Sequence, residues 1–426
     1  MKEKIIEAII KYFHESGDYN GISLYNLLEQ FDSEQISMIS LLKELISDDT
    51  IGLISSRTEM NPHIIRTGFR TKEEQLDSID EMNMHHTCFY PTKKCLKDKI
   101  RENDFSNRPY SKLLALGYPQ LEVRHFDLSI IEFYRNDPRY YYEANDIGGS
   151  LGVKDEFYET DKIKETDQVL IQSFGFSYND ERKRGLCAFI CDLAGLTSEH
   201  QLIWQAKELQ SGYKPHSAFY NSQVHNVWPK GVPILSAIIR EIYTINLITA
   251  MIYKKSLFKE DFGEYGEKTP KKWSFLIRPT LDEYNSFINL FDKIISENIN
   301  KKIFRNMVDQ EYEEARKKDD KIIIRQKGSI RMLDEWIRLM CKFPDDTGWT
   351  NSINAFKKVR KQRQNPAHKI ESDIYDHKYF KLQEEIIDEV WAGLNFLRLV
   401  LQHHPKCNTD KLDIPEWQEK NYIYSI

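Results

Sequence analysis

The 426-residue chain predicts a multidomain α+β protein in which helix predominates. Three observations carry that expectation. The last third holds long stretches whose apolar residues recur at helical spacing, and the middle third holds apolar runs punctuated by turn residues. The first sixty residues read as three short amphipathic helices and a strand. With 40% hydrophobic and 30% charged residues, and only 18 Gly and 14 Pro, the chain has the composition of packed cores rather than of a disordered or fibrous protein. Its length exceeds what one ordinary core organises. The expected divisions are a helical domain at 1–60, a linker and helix at 61–107, a mixed α/β domain at 108–256, a linker at 257–279, a four-helix bundle at 280–405 and a tail at 406–426.

Several function classes are excluded or disfavoured. No run reaches the ~18 to 20 apolar residues of a membrane span, since the most apolar stretch, 232–253, is interrupted by Arg240 and Glu241. The amino terminus begins as an amphipathic helix bearing Glu3 and Glu7 rather than as a secretory signal, so a cytoplasmic protein without a membrane partner is expected. Six cysteines without a CxxC pair read as reduced, mostly buried thiols. His85, His86, Cys88 and Cys95 are the one group with zinc-ligand chemistry, but their spacing matches no common structural zinc motif. Buried free thiols are the plainer reading, and neither metal nor cofactor is expected. GxxxxGK[ST], HExxH and GxSxG are absent, and Gly148-Gly149-Ser150-Leu151-Gly152 lacks the lysine of a phosphate cradle.

The apolar stripe Ile5, Ile6, Ile9, Ile10 and Phe13 predicts the first helix, and Ile22, Leu24, Leu27, Leu28 and Phe31 the second. Ser33 is the expected cap of a third, with Ile36, Ile39, Leu41, Leu42 and Leu45, that stops at Asp48-Asp49 before a strand over 50–55. This order resembles a winged helix-turn-helix domain, which implies DNA as a partner. Charge opposes that implication. Residues 1–60 carry five bases against eleven acids, and the would-be recognition helix has only Lys43. Such a surface repels the duplex, so a protein contact or a structural role is expected rather than DNA binding.

The 61–107 stretch is polar and weakly periodic, with a helix expected over 71–83. Beyond it, 128–134 is apolar, Asn136-Asp137-Pro138-Arg139 signals a turn, and 169–176 with 186–191 form a hairpin pattern. A further element starts near 202–207, and 234–253 predicts a long buried helix. Asp137, Arg139, Asp146 and Asp192 are candidates to gather around a ligand. Tyr140, Tyr141 and Tyr142 either stack on bases or divide between core and surface. No mechanism follows from these residues.

The carboxy-terminal third carries the chemistry. Leu281, Tyr284, Phe287, Ile288, Phe291, Ile294 and Ile295 predict one helix. A second, long helix is expected from the charged 309–321 stretch through Ile322-Ile323-Ile324 to Met340. A third carries Ile353, Phe356 and Val359, and a fourth runs over 379–402 and ends before Pro405. Between 351 and 370 lie Lys357, Lys358, Arg360, Lys361, Arg363 and Lys369, with no Asp or Glu, in a chain of net charge −6. Such a local field attracts phosphate-bearing partners. Pro366 disfavours helical geometry at Asn365, so the third helix should end there, with Arg363 on its last turn and His368 just beyond.

A four-helix bundle with Arg-x4-His after its third helix resembles the HEPN superfamily, over roughly 280–405. The resemblance implies a metal-independent endoribonuclease of the kind found in toxin–antitoxin and antiviral defence systems. It also implies a homodimer in which both motifs face one cleft. It carries the two catalytic positions onto Arg363 and His368. The family often has Asn, Asp or His directly after the arginine, whereas this chain has Gln364 and then Asn365, the candidate polar helper. Lys357, Lys358, Arg360, Lys361 and Lys369 are the expected RNA-binding residues. The spacing alone carries little, because Arg398 and His403 repeat it. In the chemistry implied, neutral imidazole deprotonates the 2′-hydroxyl or imidazolium protonates the leaving 5′-oxygen, while arginine holds the phosphate. The alternative is a non-catalytic regulatory or interaction protein whose basic bundle binds RNA or an acidic protein surface.

Overall fold

A computed structural model describes residues 1–31, 35–97, 99, 105–145, 147–158, 163–270, 272–315, 322–364 and 372–424. With 48% helix and 16% strand, the protein is α+β with helix predominant. It divides into two units, 1–143 with 148–227, and 144–147 with 228–426.

In the first unit, α1 (Lys2–Glu15) buries Ile5, Ala8, Ile9 and Phe13, the stripe the periodicity predicts. Then come β1 (Ile22–Ser23), α2 (Leu24–Phe31), α3 (Gln35–Ser47) and β2 (Ile51–Ser55). Ser33, the expected cap of α3, lies outside the described residues. After α4 (Lys72–Asp77), the 61–107 stretch read as linker supplies β3 (Thr87–Pro91), a fully buried strand. It is the centre of an antiparallel sheet β1–β3–β2, with Phe89 opposite both Ile22 and Leu53. The open edge of β2 is sealed by Gln75 of α4, whose Oε1 accepts from Leu53 N at 2.8 Å. A Thr71–Glu74 capping box starts α4. The helix stops short of the expected residue 83 because the Asp80 carboxylate takes the N–H groups of Met82 and Asn83 and turns the chain.

The same unit continues through α5 (Lys93–Leu96), α6 (Pro109–Ala115), β4 (Val123–Phe126), α7 (Ile130–Arg135), β5 (Tyr140–Ala144), β6 (Gly148–Val153), α8 (Asp155–Tyr158), β7 (Leu170–Tyr178), β8 (Arg184–Phe189), α9 (Ile190–Ala194), α10 (Ser198–Gln205), β9 (Lys214–Pro215) and α11 (Ser217–His225). The sheet runs β4–β8–β7–β6–β5, with β9 on β7. The expected hairpin is β7–β8, its turn held by Asn179 Oδ1, which accepts from Glu181 N and Lys183 N. Beside it Trp204 Nε1 donates to Tyr134 Oη at 2.8 Å. The same Tyr134 hydroxyl lies 2.8 Å from His200 Nδ1, in a hydrogen bond whose direction follows the imidazole tautomer.

In the second unit are β10 (Val232–Pro233), α12 (Ile234–Tyr253), α13 (Leu281–Ile295), β11 (Glu311–Ala315), β12 (Ile322–Gln326), α14 (Ser329–Met340), α15 (Thr347–Gln364), α16 (Lys378–Gln402), α17 (Glu416–Glu419) and β13 (Ile423–Tyr424). One apolar core joins Ile238, Ile242 and Ile245 of α12 to Phe291, Trp336, Phe356, Val390 and Leu397 of the following helices. Thus α12, which its position in the sequence assigns to the middle domain, packs with the bundle. By length and composition it is the one described helix able to cross a membrane, yet 72% of that window is buried in the protein.

The expected long helix over 309–340 is replaced by a hairpin, β11–β12, followed by α14. Glu313 faces Ile324 in its register. The β-branched Ile322-Ile323-Ile324 run favours extended backbone, and Gly328 begins a new helix. The tail is also integrated, with β13 pairing parallel to β10 and Gln418 fully buried.

The fully buried Arg398 of α16 donates from Nε to Glu241 of α12 at 2.8 Å, and from Nη2 to Asn395 Oδ1 and to the carbonyl of Gln418. Arg398→Ala leaves Glu241 in the core without its cation, either charged or forced to take up a proton, and urea denaturation should show a loss of about 3–5 kcal/mol. The double variant Glu241→Leu/Arg398→Met should recover most of that loss; a double variant as unstable as the single one contradicts this account.

His200 supplies a pH test in the first unit. Burial holds its imidazole below the usual value, with Asp167 and Glu199 opposing. The unfolded chain then binds more protons, so stability is full above about pH 6.5 and falls as the pH drops through that value. His200→Asn, which keeps a hydrogen-bond partner for Tyr134, should flatten the dependence of the urea midpoint on pH. It should not abolish it, because His125 and His216 are also held low by burial.

Candidate functional site at the end of α15

The helix α15 buries Trp349, Ile353, Phe356 and Val359 against the core and turns its basic side chains outward. Arg360 and Arg363, three residues apart, lie on one face of it. Both reach the same atom, Oδ2 of Asp292 on α13, at 2.7 Å each. Asp292 is fully buried, whereas the arginine side chains retain 39% and 30% exposure. Glu297 completes the cluster, contacting Arg363 directly and Arg360 at 3.6 Å. Hydrogen bonds to Asp292 and then Glu297 hold the Arg363 guanidinium above the usual arginine value, so it is a permanent cation in a fixed place.

The basic stretch is uncompensated only along the sequence. In space Lys358 Nζ lies 2.6 Å from Glu389 of α16, and Lys357 Nζ lies 4.0 Å from Asp334 of α14. Of the five bases on α15, only the exposed Lys361 has no acidic partner among the described residues. The field a phosphate meets is therefore weaker than the run of bases implies. Arg363 stands on the last described turn of α15, as expected. Asn365, His368 and Lys369 lie outside the described residues, so the structure does not bring Arg363 and His368 together or apart.

The repeat of the spacing separates cleanly. Arg398 is 1% exposed and spends its donors on Glu241, Asn395, Gln402 and Gln418. His403 is exposed and bonded to the carbonyl of Leu399. A sealed arginine cannot meet a polymer, so this pair is structural.

Other sequence candidates are placed as follows. Cys88 is buried on β3, its thiol pushed up to about 12 by burial, and contacts His63 Nδ1 at 3.5 Å. His63 Nε2 lies 3.3 Å from His86, while His85 packs on Tyr25. Among the described residues no three His, Cys, Asp or Glu side chains gather as metal ligands, so His85, His86, Cys88 and Cys95 do not form a site together. Arg139 pairs with Asp137 at 2.7 Å and with Asp167 at 3.0 Å. Asp192 stands on α9, its carboxyl raised to about 6 by burial, and Asp146 lies outside the described residues. Tyr140 is 5% exposed and Tyr142 stacks on Phe174, so these two serve packing.

The residues that sequence reasoning missed are Asp292 and Glu297. Asp292 was visible as an acid on the apolar stripe of α13, one helical turn after Ile288 and beside Phe291. Its partners could not be read from spacing. Comparisons of the chain with protein families, with curated proteins and with solved structures find no match.

Asp292→Asn should keep the fold and lower its stability by about 2 kcal/mol, less than for a sealed pair because both arginines can rehydrate. Thermal denaturation checks this, and an unchanged midpoint would show that the carboxylate does not anchor the two arginines.

Proposed function

We propose that the protein is a metal-independent endoribonuclease of HEPN type that cleaves RNA at the end of α15. The observation that supports this reading most is the anchoring of Arg363. A buried carboxylate and Glu297 fix an always-charged, part-exposed guanidinium at the turn that precedes His368. A preorganised fork of donors is suited to holding a scissile phosphate and offsetting the charge that grows on it. His368 would act as the proton carrier, with neighbouring bases favouring its neutral form, and Asn365 would be the polar helper. Attack by the 2′-hydroxyl leaves a 2′,3′-cyclic phosphate and a 5′-hydroxyl end. Lys361 and Lys369 would contact backbone phosphates, with Lys357, Lys358 and Arg360 contributing less because acids already engage them. Two copies are proposed to face one cleft.

The α1–β1–α2–α3–β2 order, with β3 joining the sheet after α4, supports a winged-helix-like reading of the amino-terminal region, and its acidity supports a protein partner rather than DNA. One observation favours a second, non-catalytic reading. Four of the five α15 bases are matched by acids, as in a bundle that has kept its fold and serves as an interaction module.

Incubation with total RNA separates the two. Wild type should produce 2′,3′-cyclic phosphate ends, Arg363→Ala should be slower by about 10²- to 10³-fold, and His368→Ala should be inactive. Arg360 remains on Asp292 in Arg363→Ala, so the fold should persist and circular dichroism should be unchanged. Equal cleavage by all three proteins, or none by wild type under any condition, favours the interaction reading.

A further inference from the structure

Beside the arginine cluster, a cleft of roughly 490 Å³ opens at the amino end of α14. Its wall brings Lys259, Lys301, Lys302 and Arg360 together with Ser296 and Gly328. We propose that this cleft is an anion site that takes a phosphate group, distinct from the position Arg363 would hold.

Four observations converge on it. The helix α14 has twelve residues, no side chain caps it at Gly328, and its first turn contains no acid, so its amino end is open to an anion. Ser296 lines the same cleft, is 1% exposed, and its hydroxyl has no hydrogen-bond partner. Such a buried donor without an acceptor costs free energy unless a ligand supplies one. Three lysines, and Arg360 already held by Asp292, face a single lining carboxylate among the described residues, Glu297, which Arg363 engages. Lys259 and Lys301 each use one donor on a carbonyl, of Glu297 and Lys327 respectively, which leaves two on each ammonium.

At the end of α13 the carbonyls of Ser296 and Asp292 are already engaged. Ser329 Oγ donates to Ser296 O at 2.7 Å, and the N–H groups of Ser296 and Glu297 both point at Asp292 O. Gly328 completes the cradle, since a Cβ added there meets nothing within 4 Å. The phosphate can belong to a free phosphate ester or to an RNA backbone passing from Arg363 toward the cleft. Arg360, which touches both the cluster and the cleft, is the link between them.

The space at Gly328 supplies the test. Gly328→Asp places a favoured capping carboxylate where the anion would sit, so the protein should become more heat-stable while losing the ligand. Titration calorimetry of the full chain with inorganic phosphate should give saturable binding to wild type. Binding should be at least tenfold weaker for Gly328→Asp, and weaker by about fivefold for Ser296→Ala, which loses one hydrogen bond. A 2′-O-methyl oligoribonucleotide, which cannot be cleaved through its 2′ position, identifies the source. Displacement of phosphate by the oligomer assigns the site to RNA, and its failure assigns it to a free phosphate ester; both support the site. No saturable binding to wild type, or equal binding by Gly328→Asp, overturns the proposal. The measurement is independent of cleavage, so His368→Ala should bind phosphate as wild type does whether or not the protein is a nuclease.

Discussion

The buried ion pair between Glu241 and Arg398 organises the second unit. A cation and a carboxylate removed from water each carry a desolvation cost of several kcal/mol, and they are tolerated only where geometry satisfies nearly every donor. Arg398 meets that condition with four partners, drawn from α12, α16 and the segment around Gln418. A helix rich in isoleucine such as α12 can rotate or slide on an apolar surface at modest cost. A charge pair at its midpoint admits one register. That constraint draws α12 out of the sequence neighbourhood of the sheet and into the bundle, and holds the tail beside it. Burial pushes the Glu241 carboxyl up while Arg398 opposes the shift, as expected where desolvation and pairing compete.

The cluster around Asp292 uses the same chemistry with a different balance of burial. Its carboxylate is sealed, but the two guanidinium groups that share one of its oxygens are partly in solvent. Two cations on one acid, with Glu297 as the second anion, leave the group close to neutral and rigid. A rigid guanidinium has lost its conformational freedom before any ligand arrives, which is the basis of preorganised electrostatic stabilisation. It also competes with its own acids for a phosphate. The buried Asp292 cannot leave, so a phosphate would use the donors of Arg363 that Asp292 and Glu297 do not. Its five N–H groups allow that division, as a lysine's compact charge would not.

Periodicity made most helices legible, because each buries one stripe. Ile5 to Phe13, Leu281 to Ile295 and Ile386 to Leu401 all lie where the 3.6-residue pattern puts them. Failures arose where a long-range partner decides the outcome. Thr87–Pro91 is too short to show alternation and becomes a strand because β1 and β2 need a common neighbour. Ile322–Gln326 forms a strand outside the core, with Ile322 65% exposed, so burial periodicity carried no information about it. At the site, the positions of Arg360 and Arg363 on one helical face were legible from their spacing. The neutralisation of the basic run was not, because Asp292, Asp334 and Glu389 approach from three other helices.

That difference changes how the run of bases should be weighed. A stretch free of Asp and Glu suggests an electrostatic funnel, and its strength would scale with the number of unpaired cations. Among the described residues, pairing reduces those on α15 to one lysine without an acidic partner and two arginines held by acids. The adjacent cleft contains Lys259, Lys301 and Lys302 with Glu297 as the one facing carboxylate among the described residues, so the stronger local attraction for an anion lies there. A polyanion approaching this face would be drawn first to the cleft and would meet Arg363 only as its neighbouring segment settled on α15. Arg363 would then contribute geometry rather than long-range attraction, because a buried and a part-exposed carboxylate fix it while the lysines of the cleft are not so held.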